Sequence, residues 1–371
     1  MLSACAAASL SFSAPPPPAA AADSTVERVR YTMGGITAAV RIDDPGVDAN
    51  GHARTPDETE ALAEAALDRI DEVDRAASLY KEDSDLVRLN THAWPGPCQV
   101  GPLLADLLDV SLRIAKATRG SFDPTVKPLM DSLGFYREIG SRPDPAGLAS
   151  ALGRVGWKQV SLDRQHGRVR FRKPGMAIDL GGVGKGYALD RAAAVLRQAG
   201  VRRAGIELGR SWLFIGRDPA QADGRFRLSV AVPDEDGRET LRAMVAVPEG
   251  SVATSSPWAQ VREDSGRRVG HIVDPRRGPL ETAVIAATVW AREGVEADAL
   301  TKPLVVEGSA ALPRLRRRFH LEAMLFLSAA PEGIDVRDLV ACDAPRAGGG
   351  GAALYVLATP GLKCVPSGGA P

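Results

Sequence analysis

The 371-residue chain has few aromatic side chains and no excess of charge of either sign. Phe, Trp and Tyr make up 5% of the residues, and 46 basic side chains balance 46 acidic ones. A zero net charge argues against a surface for nucleic acids or anionic membranes, so we expect no nucleic-acid partner. The chain also lacks an apolar stretch of about 20 residues, which a membrane-spanning helix requires. We therefore expect a globular protein with no spanning helix.

Cysteine is scarce, and its spacing argues against a metal cluster. The four cysteines, Cys5, Cys98, Cys342 and Cys364, contain no pair with the spacing of a zinc or redox motif. Cys98 and Cys342 would be able to pair in an oxidising compartment, but a disulfide also requires a short distance between them. We favour two unconnected thiols.

The first 24 residues are rich in Ala and Pro. Residues 2–5 (Leu-Ser-Ala-Cys) resemble the processing box of a bacterial lipoprotein, without the charged and apolar segments that should precede it. The segment is a weak export signal, part of a signal that starts upstream, or a disordered leader, and we keep residues 1–24 out of the fold. We expect a domain over residues 25–335 and a Gly/Pro-rich C-terminal tail over 336–371, in which 352–358 have the pattern of one last strand.

Helix and strand patterns are mixed along the chain without strict alternation, which favours an α+β fold. Thr55-Pro56-Asp57-Glu58 is typical of a helix start, with a capping box and Pro in the first turn. A second helix is predicted to begin at Pro102 and to stop at Gly120. Alternating apolar residues predict a half-buried strand at 226–232, and apolar runs predict strands at 283–290 and 323–327.

Residues 179–186, Asp-Leu-Gly-Gly-Val-Gly-Lys-Gly, are the most informative stretch of the chain. The apolar run 176–180 predicts a strand before this turn, and the spacing after it predicts a helix that ends at Gly200. Such a turn directs free backbone N–H groups and a helix dipole at an anion, and Lys185 adds a cation. The residue order matches neither a Walker A loop nor a Rossmann fingerprint. A phosphate site and a tight turn that packs a helix on a sheet are equally good interpretations.

This stretch is one of six strings that occur in order along the chain. They are Ser-Leu-Tyr at 78–80, Gly-Ser-Phe-Asp-Pro-Thr-Val at 120–126, Asp179 to Asp190, Ala-Thr-Ser at 253–255, His-Ile-Val-Asp-Pro at 271–275, and Ala-Asp-Ala-Leu at 297–300. Together they resemble the FAD:protein FMN transferase (ApbE) family over roughly residues 28–330.

The resemblance implies an α+β fold of mixed sheets with packed helices, related to the T-fold, in a single large domain. It implies an enzyme that binds FAD, cleaves its pyrophosphate with the help of Mg²⁺, and transfers FMN to a Thr or Ser hydroxyl of an acceptor protein of a redox system. AMP is the leaving group. It also implies a location in the bacterial periplasm, in many members as a lipoprotein, so that Cys5 is the expected lipid anchor.

The same resemblance assigns roles to residues. His271 and Asp298 are expected to be catalytic, because imidazole accepts a proton near neutral pH and a carboxylate oxygen is the kind of ligand that Mg²⁺ prefers. The Gly184 carbonyl and the Thr301 hydroxyl would complete the metal site. The expected FAD-binding residues are Tyr80, as a ring that stacks on the isoalloxazine, and Asp123, Thr125, Asp179, Gly181, Gly182, Lys185, Asp190, Thr254, Ser255 and His271.

Most of these residues also have a structural interpretation. Tyr80 is then a core residue at a helix end, Asp123 a turn cap, and His271 a structural histidine. Thr254 and Ser255 are then part of a turn.

The chain departs from the family pattern at the expected site. Lys302 stands four residues after Asp298, where the family has a Thr ligand, and an ammonium group repels a cation. Thr301 lies on the same helical face as Asp298, which leaves a shifted metal site open. Ser256 and Pro257 replace a Gly-Asp pair, and Arg210 and Arg277 also replace family residues.

Three interpretations follow, in this order. The first is an active transferase with a modified metal site. The second is an FAD-binding protein without catalysis, in which Lys302 takes the position of the metal. The third is an accessory or scaffold protein that meets a redox partner and has lost the nucleotide site.

Overall fold

The computed structural model describes residues 25–136, 144–233, 239–264, 267–329, 340–341 and 355–365. Helices and strands are mixed along this part of the chain, as the α+β prediction requires. The helices are α1 (Pro56–Ala77), α2 (Asp85–His92), α3 (Pro102–Ala117), α4 (Lys127–Ser132), α5 (Pro145–Leu152), α6 (Gly184–Gln198), α7 (Gly294–Glu307) and α8 (Leu312–Phe319). The strands are β1 (Val26–Thr32), β2 (Ile36–Asp44), β3 (Cys98–Gln99), β4 (Val160–Asp163), β5 (Arg168–Phe171), β6 (Arg203–Leu208), β7 (Ser211–Ile215), β8 (Phe226–Pro233), β9 (Glu239–Val247), β10 (Gly250–Ser255), β11 (Val261–Asp264), β12 (Arg267–Gly270), β13 (Val284–Ala291), β14 (Glu322–Leu327), β15 (Val340–Ala341), β16 (Tyr355–Ala358) and β17 (Lys363–Val365).

A nine-stranded sheet in the order β1-β2-β6-β7-β10-β13-β14-β16-β15 forms the centre of the fold. Its neighbouring strands are antiparallel. Three smaller sheets have the orders β17-β9-β8, β3-β5-β4 and β11-β12. The predicted strands at 226–232, 283–290 and 323–327 are confirmed as β8, β13 and β14.

Strand β14 lies in a part of the central sheet that is buried on both faces, which explains why its sequence is an unbroken apolar run. Successive side chains of a strand point to opposite faces. Ala323, Leu325 and Leu327 join the core shared with helices α1, α6 and α7. Met324 and Phe326 join a second core, which lies between the central sheet and the sheet of β8 and β9. A strand between two apolar layers needs apolar residues at every position.

Helices α1 and α3 begin where the sequence places them. Thr55 Oγ1 accepts a hydrogen bond from the N–H of Glu58, and the Glu58 carboxylate accepts one from the N–H of Thr55 at 2.8 Å, which confirms the predicted capping box. Helix α3 begins at Pro102 and ends at Ala117, three residues before Gly120. The φ of Gly120 is 82°, which lies outside the helical region. Helix α6 is followed by Gly200 in a left-handed conformation, as predicted.

The prediction of a strand at 176–180 is wrong. No regular element covers these residues, although Met176, Ile178 and Leu180 are buried. The amide side chain of Asn90 bonds both backbone groups of Ile178, at 2.7 and 2.9 Å, and the N–H of Asp179 donates to Pro124 O at 2.7 Å. The apolar pattern indicates that the segment is buried, but not that it is a strand. Its backbone groups bond to the Asn90 side chain and to the Pro124 carbonyl instead of to a neighbouring strand.

The segment expected to be a C-terminal tail contributes strands to two sheets. β16 pairs with β14 and β15 at one end of the central sheet, and β17 pairs with β9. The last strand predicted at 352–358 is observed over Tyr355–Ala358, and residues 352–354 lie outside the described part of the chain. The leader, Cys5 and Cys342 also lie outside it, whereas Cys98 is a buried free thiol. Within the described ranges, no helix is both long enough and apolar enough to cross a membrane.

Candidate active site

A cavity of about 940 Å³ opens where the first turn of α6, the end of β10 and helix α7 meet the segment after β12. Most of the residues that the sequence assigned to FAD line it. These are Tyr80, Asp123, Asp179, Gly181, Gly182, Lys185, Thr254, Ser255 and His271; Gly184, which was assigned to the metal, also lines it. Thr125, Asp190, Asp298 and Thr301 do not line it. Lys302 and Arg210, which depart from the family pattern, do.

Two glycines bring the first turns of α6 and α7 into backbone contact. A Cβ atom added to Gly186 would lie 2.0 Å from the carbonyl oxygen of Gly294, and one added to Gly294 would lie 2.4 Å from the oxygen of Gly186. Neither position accepts a side chain without a shift of backbone. The contact lets the N–H of Gly186 donate to Asp298 Oδ2 at 3.1 Å. Gly186 is therefore required by helix packing, which supports the structural interpretation of the turn at this residue.

Lys185 and Lys302 lie at the floor of the cavity, and the buried carboxylate of Asp298 lies beneath them as their shared partner in a charged cluster. Asp298 Oδ1 lies 2.7 Å from the Lys302 ammonium and 3.8 Å from that of Lys185. The first turn of α6 and Asp298 of α7 therefore lie side by side. Burial alone would raise the pKa of Asp298, but the two lysines and the Gly186 N–H outweigh it, and this pKa is below its ordinary value. Asp298 is thus a carboxylate at neutral pH.

Burial lowers the pKa of Lys302, and the Lys185 charge lowers it further, while Asp298 raises it. Lys302 also donates to the carbonyl oxygen of Asp298 at 2.9 Å. Because this residue is one helical turn after Asp298, its side chain folds back over its own helix.

These residues do not fit a divalent cation. A ligand carboxylate must face the ion, but each Asp298 oxygen already faces a donor, a lysine or an N–H group. The two ammonium groups exceed the carboxylate by one positive charge. At an effective dielectric constant of about 20, a divalent ion about 4 Å from that charge would be repelled by roughly 8 kcal/mol. Within the part of the chain that the structure describes, no group of three or more His, Cys, Asp and Glu side chains is placed to hold a metal.

Thr301, the other expected side-chain ligand, is fully buried and already bonded on both sides. Its hydroxyl donates to Asp298 O at 2.7 Å, so in its 2.8 Å contact with Ser255 the serine must be the donor. Thr254 is bonded to Thr288 at 2.9 Å. The two hydroxyl residues of β10 therefore line the cavity while they also connect β10 to α7 and β13.

The glycine turn offers fewer free N–H groups than its sequence suggested, so that expectation is corrected. The N–H groups of Val183 and Gly184 donate to Leu180 O, and that of Gly181 donates to Asp179 Oδ1 at 2.7 Å. The turn brings the Lys185 ammonium to the cavity and leaves room beside Gly182, where a Cβ would lie 3.4 Å from Lys302 Cε.

Tyr136 is a site residue that the sequence analysis missed. Its hydroxyl donates to Asp179 Oδ2 at 2.5 Å, and its ring centroid lies 6.1 Å from that of Tyr80. Burial first, and then Asp179, raise the pKa of the Tyr136 hydroxyl, which therefore stays protonated. Tyr80 is 74% exposed, so its ring is free to meet a flat ligand. The signal available in the sequence was the pair of neighbouring aromatic residues, Phe135 and Tyr136.

His271 is held as a neutral imidazole. Its Nδ1 lies 3.2 Å from Pro257 O, and because a carbonyl only accepts, Nδ1 must carry the proton. Nε2 is then the nitrogen that accepts a proton. Burial first, and then the charges of Lys302 and Lys185, lower the pKa of His271 to about 4. Pro257, which departs from the family pattern, therefore orients this histidine through its carbonyl.

Three further side chains, those of Asp123, Thr125 and Asp190, hold the backbone around the site by hydrogen bonds. Of these, only Asp123 lines the cavity. Asp123 accepts from the N–H and hydroxyl of Thr125 at 2.9 and 2.6 Å and from the N–H of Trp157 at 2.9 Å. Burial raises the pKa of Asp123. Asp190 accepts from the N–H groups of Gly294 and Val295 at 2.6 and 2.8 Å, so it caps α7.

Comparisons with known proteins agree with the fold and with the family resemblance. The sequence matches the profile of the ApbE family over residues 35–325. It is 31% identical to a FAD:protein FMN transferase of Klebsiella pneumoniae over 255 residues, which cover 67% of this chain and 72% of that protein. It is 29% identical to the FAD:protein FMN transferase of Escherichia coli K12 over 279 residues, 74% of this chain and 77% of that protein.

Solved structures share the fold. The flavin transferase ApbE from Vibrio cholerae superposes with a TM-score of 0.70 at 22% identity, over 91% of this chain and 97% of that one. The ApbE protein from Thermotoga maritima gives a TM-score of 0.70 at 24% identity, over 83% of this chain and 96% of that one. With the match over residues 35–325 and the relative at 31% identity, these comparisons show that the chain belongs to the ApbE family.

Proposed function

We propose that this protein is a FAD:protein FMN transferase. A Thr or Ser hydroxyl of an acceptor protein attacks the FMN-side phosphorus of FAD. A new O–P bond forms, the O–P bond of the pyrophosphate bridge breaks, and AMP leaves with the bridging oxygen. The hydroxyl proton passes to a base. The observation that carries the proposal is the convergence of a neutral imidazole and two lysines at one cavity in a member of the ApbE family.

Each side chain at the cavity has chemistry that suits this reaction. Lys185 and Lys302 offset the negative charge of the pyrophosphate, and positioning with charge neutralisation contributes most of the rate in phosphoryl transfer. His271 Nε2 takes the proton of the acceptor hydroxyl. Tyr80 and Tyr136 provide aromatic surface for the isoalloxazine. Asp298 fixes both lysines.

A second candidate is an FAD-binding protein that transfers nothing. The Lys302–Asp298 ion pair at 2.7 Å favours it, because the pair uses the carboxylate that the family's reaction is expected to give to Mg²⁺. The two candidates differ in their products, because only the transferase forms flavin-labelled peptide and AMP.

One incubation separates them. The protein is mixed with FAD and a library of Thr- and Ser-containing peptides, with and without Mg²⁺, and analysed by mass spectrometry. A transferase gives peptides with FMN in phosphoester linkage and an equal amount of AMP. His271→Gln, which keeps a polar side chain of similar size, should give neither product while it still binds FAD. Bound FAD with no AMP in any condition would establish the second candidate.

We also propose that the acceptor belongs to a redox system in the bacterial periplasm and that Cys5 carries a lipid. The sequence of residues 2–5 supports this proposal. In cells fed a radiolabelled fatty acid, the wild-type protein should take up label and Cys5→Ala should not. Equal labelling of both proteins would refute the anchor.

A further inference from the structure

We infer that the Lys302 ammonium takes the place of a divalent cation at this site, so that FAD binding and transfer do not require metal. The inference rests on the proposed function, since it concerns how the same cavity holds the pyrophosphate of FAD.

The Lys302 side chain is fixed in position. Its Nζ is held by two oxygens of one residue, Oδ1 of Asp298 at 2.7 Å and the Asp298 carbonyl at 2.9 Å. Its stem packs beside Gly182, where an added Cβ would lie 3.4 Å from Lys302 Cε, at ordinary van der Waals contact. The side chain is 17% exposed, so the ammonium borders the cavity while the rest of the residue is packed. The Lys302 ammonium therefore places a fixed positive charge at the floor of the proposed phosphate site. A bound cation would otherwise provide that charge.

The oxygens next to Lys302 already accept hydrogen bonds, so the site favours an anion over a cation. Asp298 Oδ2 accepts from Gly186, and Thr301 is bonded to Asp298 and Ser255. Lys185 lies 3.8 Å from the same carboxylate on the other side. The cluster therefore carries one excess positive charge next to the cavity.

Three carboxylates line the cavity, and each has donors of its own. Asp74 pairs with Lys81 at 2.8 Å, and Asp179 accepts from Tyr136 and from the N–H of Gly181. Asp123 accepts from Thr125 and Trp157. Because each of these acids already has a donor, an ion bound there would have to compete with it.

The test begins with the wild-type protein. FAD affinity is measured by quenching of flavin fluorescence in EDTA and again in excess Mg²⁺. The two dissociation constants should agree within about twofold, a difference of roughly 0.4 kcal/mol. Flavin-labelled peptide and AMP are measured in the same two buffers and should form at similar rates.

Two variants at the same position test the role of the charge. Lys302→Met keeps the length of the stem and removes the ammonium, so the dissociation constant for FAD in EDTA should rise about tenfold or more, as for loss of a charged hydrogen bond. Lys302→Thr removes the ammonium and places a hydroxyl one turn from Asp298. Its affinity should fall similarly in EDTA and recover when Mg²⁺ is added. Lys173→Thr, at an exposed lysine that does not line the cavity, is the matched control and should behave as wild type.

The outcomes separate this inference from the proposed function. Wild-type binding that requires Mg²⁺ overturns the inference and leaves the transferase proposal intact. Binding that ignores metal, with no AMP formed, supports the inference and overturns the transferase. No FAD binding in either buffer overturns both. Lys302→Met that binds FAD in EDTA as tightly as wild type also overturns the inference. Should either variant unfold, which circular dichroism would reveal, the wild-type comparison decides alone.

Discussion

The contact between the first turns of α6 and α7 predicts opposite effects for the same substitution at two glycines of one helix. In Gly186→Ala the new methyl would lie 2.0 Å from Gly294 O and 2.8 Å from Asp298 Cβ. Both atoms belong to fixed parts of α7, so the helices must separate. Overpacking of this kind costs about 1–3 kcal/mol, and the hydrogen bond from Gly186 to Asp298 adds about 1.5 kcal/mol when it is lost.

Gly184→Ala is the matched control. It lies two residues earlier in α6, and a Cβ there meets nothing within 4 Å. Alanine in place of glycine stabilises a helix by roughly 0.5–1 kcal/mol in its interior and by less at its first residue.

Thermal unfolding followed by circular dichroism measures both variants. At roughly 2 °C for each kcal/mol, Gly186→Ala should melt about 5–9 °C below wild type, and Gly184→Ala at or slightly above it. Gly186→Ala should also bind FAD more weakly, because separated helices move Lys185 away from Asp298. If Gly186→Ala melts and binds FAD as wild type does, the backbone contact does not hold the site together and the reasoning is wrong.

Three further predictions concern single side chains. Tyr136→Phe removes the donor to Asp179, so FAD affinity should fall by about 1–3 kcal/mol. Tyr80→Phe keeps the exposed ring and should leave FAD affinity unchanged. Isothermal titration calorimetry compares the two variants. Asp190→Ala removes the cap of α7 and should lower the free energy of unfolding by about 1–2 kcal/mol in urea titrations, and an unchanged midpoint would contradict the capping role. His271 in the free protein should titrate near pH 4 by NMR, and a midpoint at its ordinary value would show that burial and the two lysines do not act on it.

Features with a local signal were predictable from the sequence. The capping box of α1 needs only Thr55 and Glu58, and the strands of the central sheet show their burial through their own apolar residues. The convergence of Lys185 and Asp298 came from the family resemblance, since 113 positions separate them in the sequence.

What the sequence did not predict depends on partners far away in the chain. Residues 176–180 have the pattern of a strand, but Asn90, 88 residues from Ile178, bonds their backbone. Tyr136 reaches Asp179 across 43 residues, and Asp190 caps a helix that begins 104 residues later. No local pattern reports such pairs. The Lys302–Asp298 pair is the intermediate case: helical spacing permits it, but only the structure shows that both Asp298 oxygens are already engaged.

The two lysines act on the phosphate and on the base together, and this couples FAD affinity to pH. In the free protein Lys185 and Lys302 help to hold the pKa of His271 at about 4. The pyrophosphate of FAD offsets their charge, so the pKa of His271 rises in the complex above its value of about 4, while burial, the largest cause of the shift, keeps it below its ordinary value. Between the pKa of the free protein and that of the complex, the complex binds more protons than the free protein does, and by linkage FAD must bind more tightly as pH falls.

The expected dissociation constant is therefore flat near neutral pH and decreases as pH falls through the acidic range towards about 4. His271→Gln has no proton to take up there, so its dissociation constant should not follow this curve. The contrary result is a wild-type affinity that stays constant or weakens over that range, in a protein that circular dichroism shows to be folded. That result would mean that phosphate binding at the lysines does not change the pKa of the imidazole. The same result would remove the reason to regard His271 as a base whose strength increases only when FAD is bound.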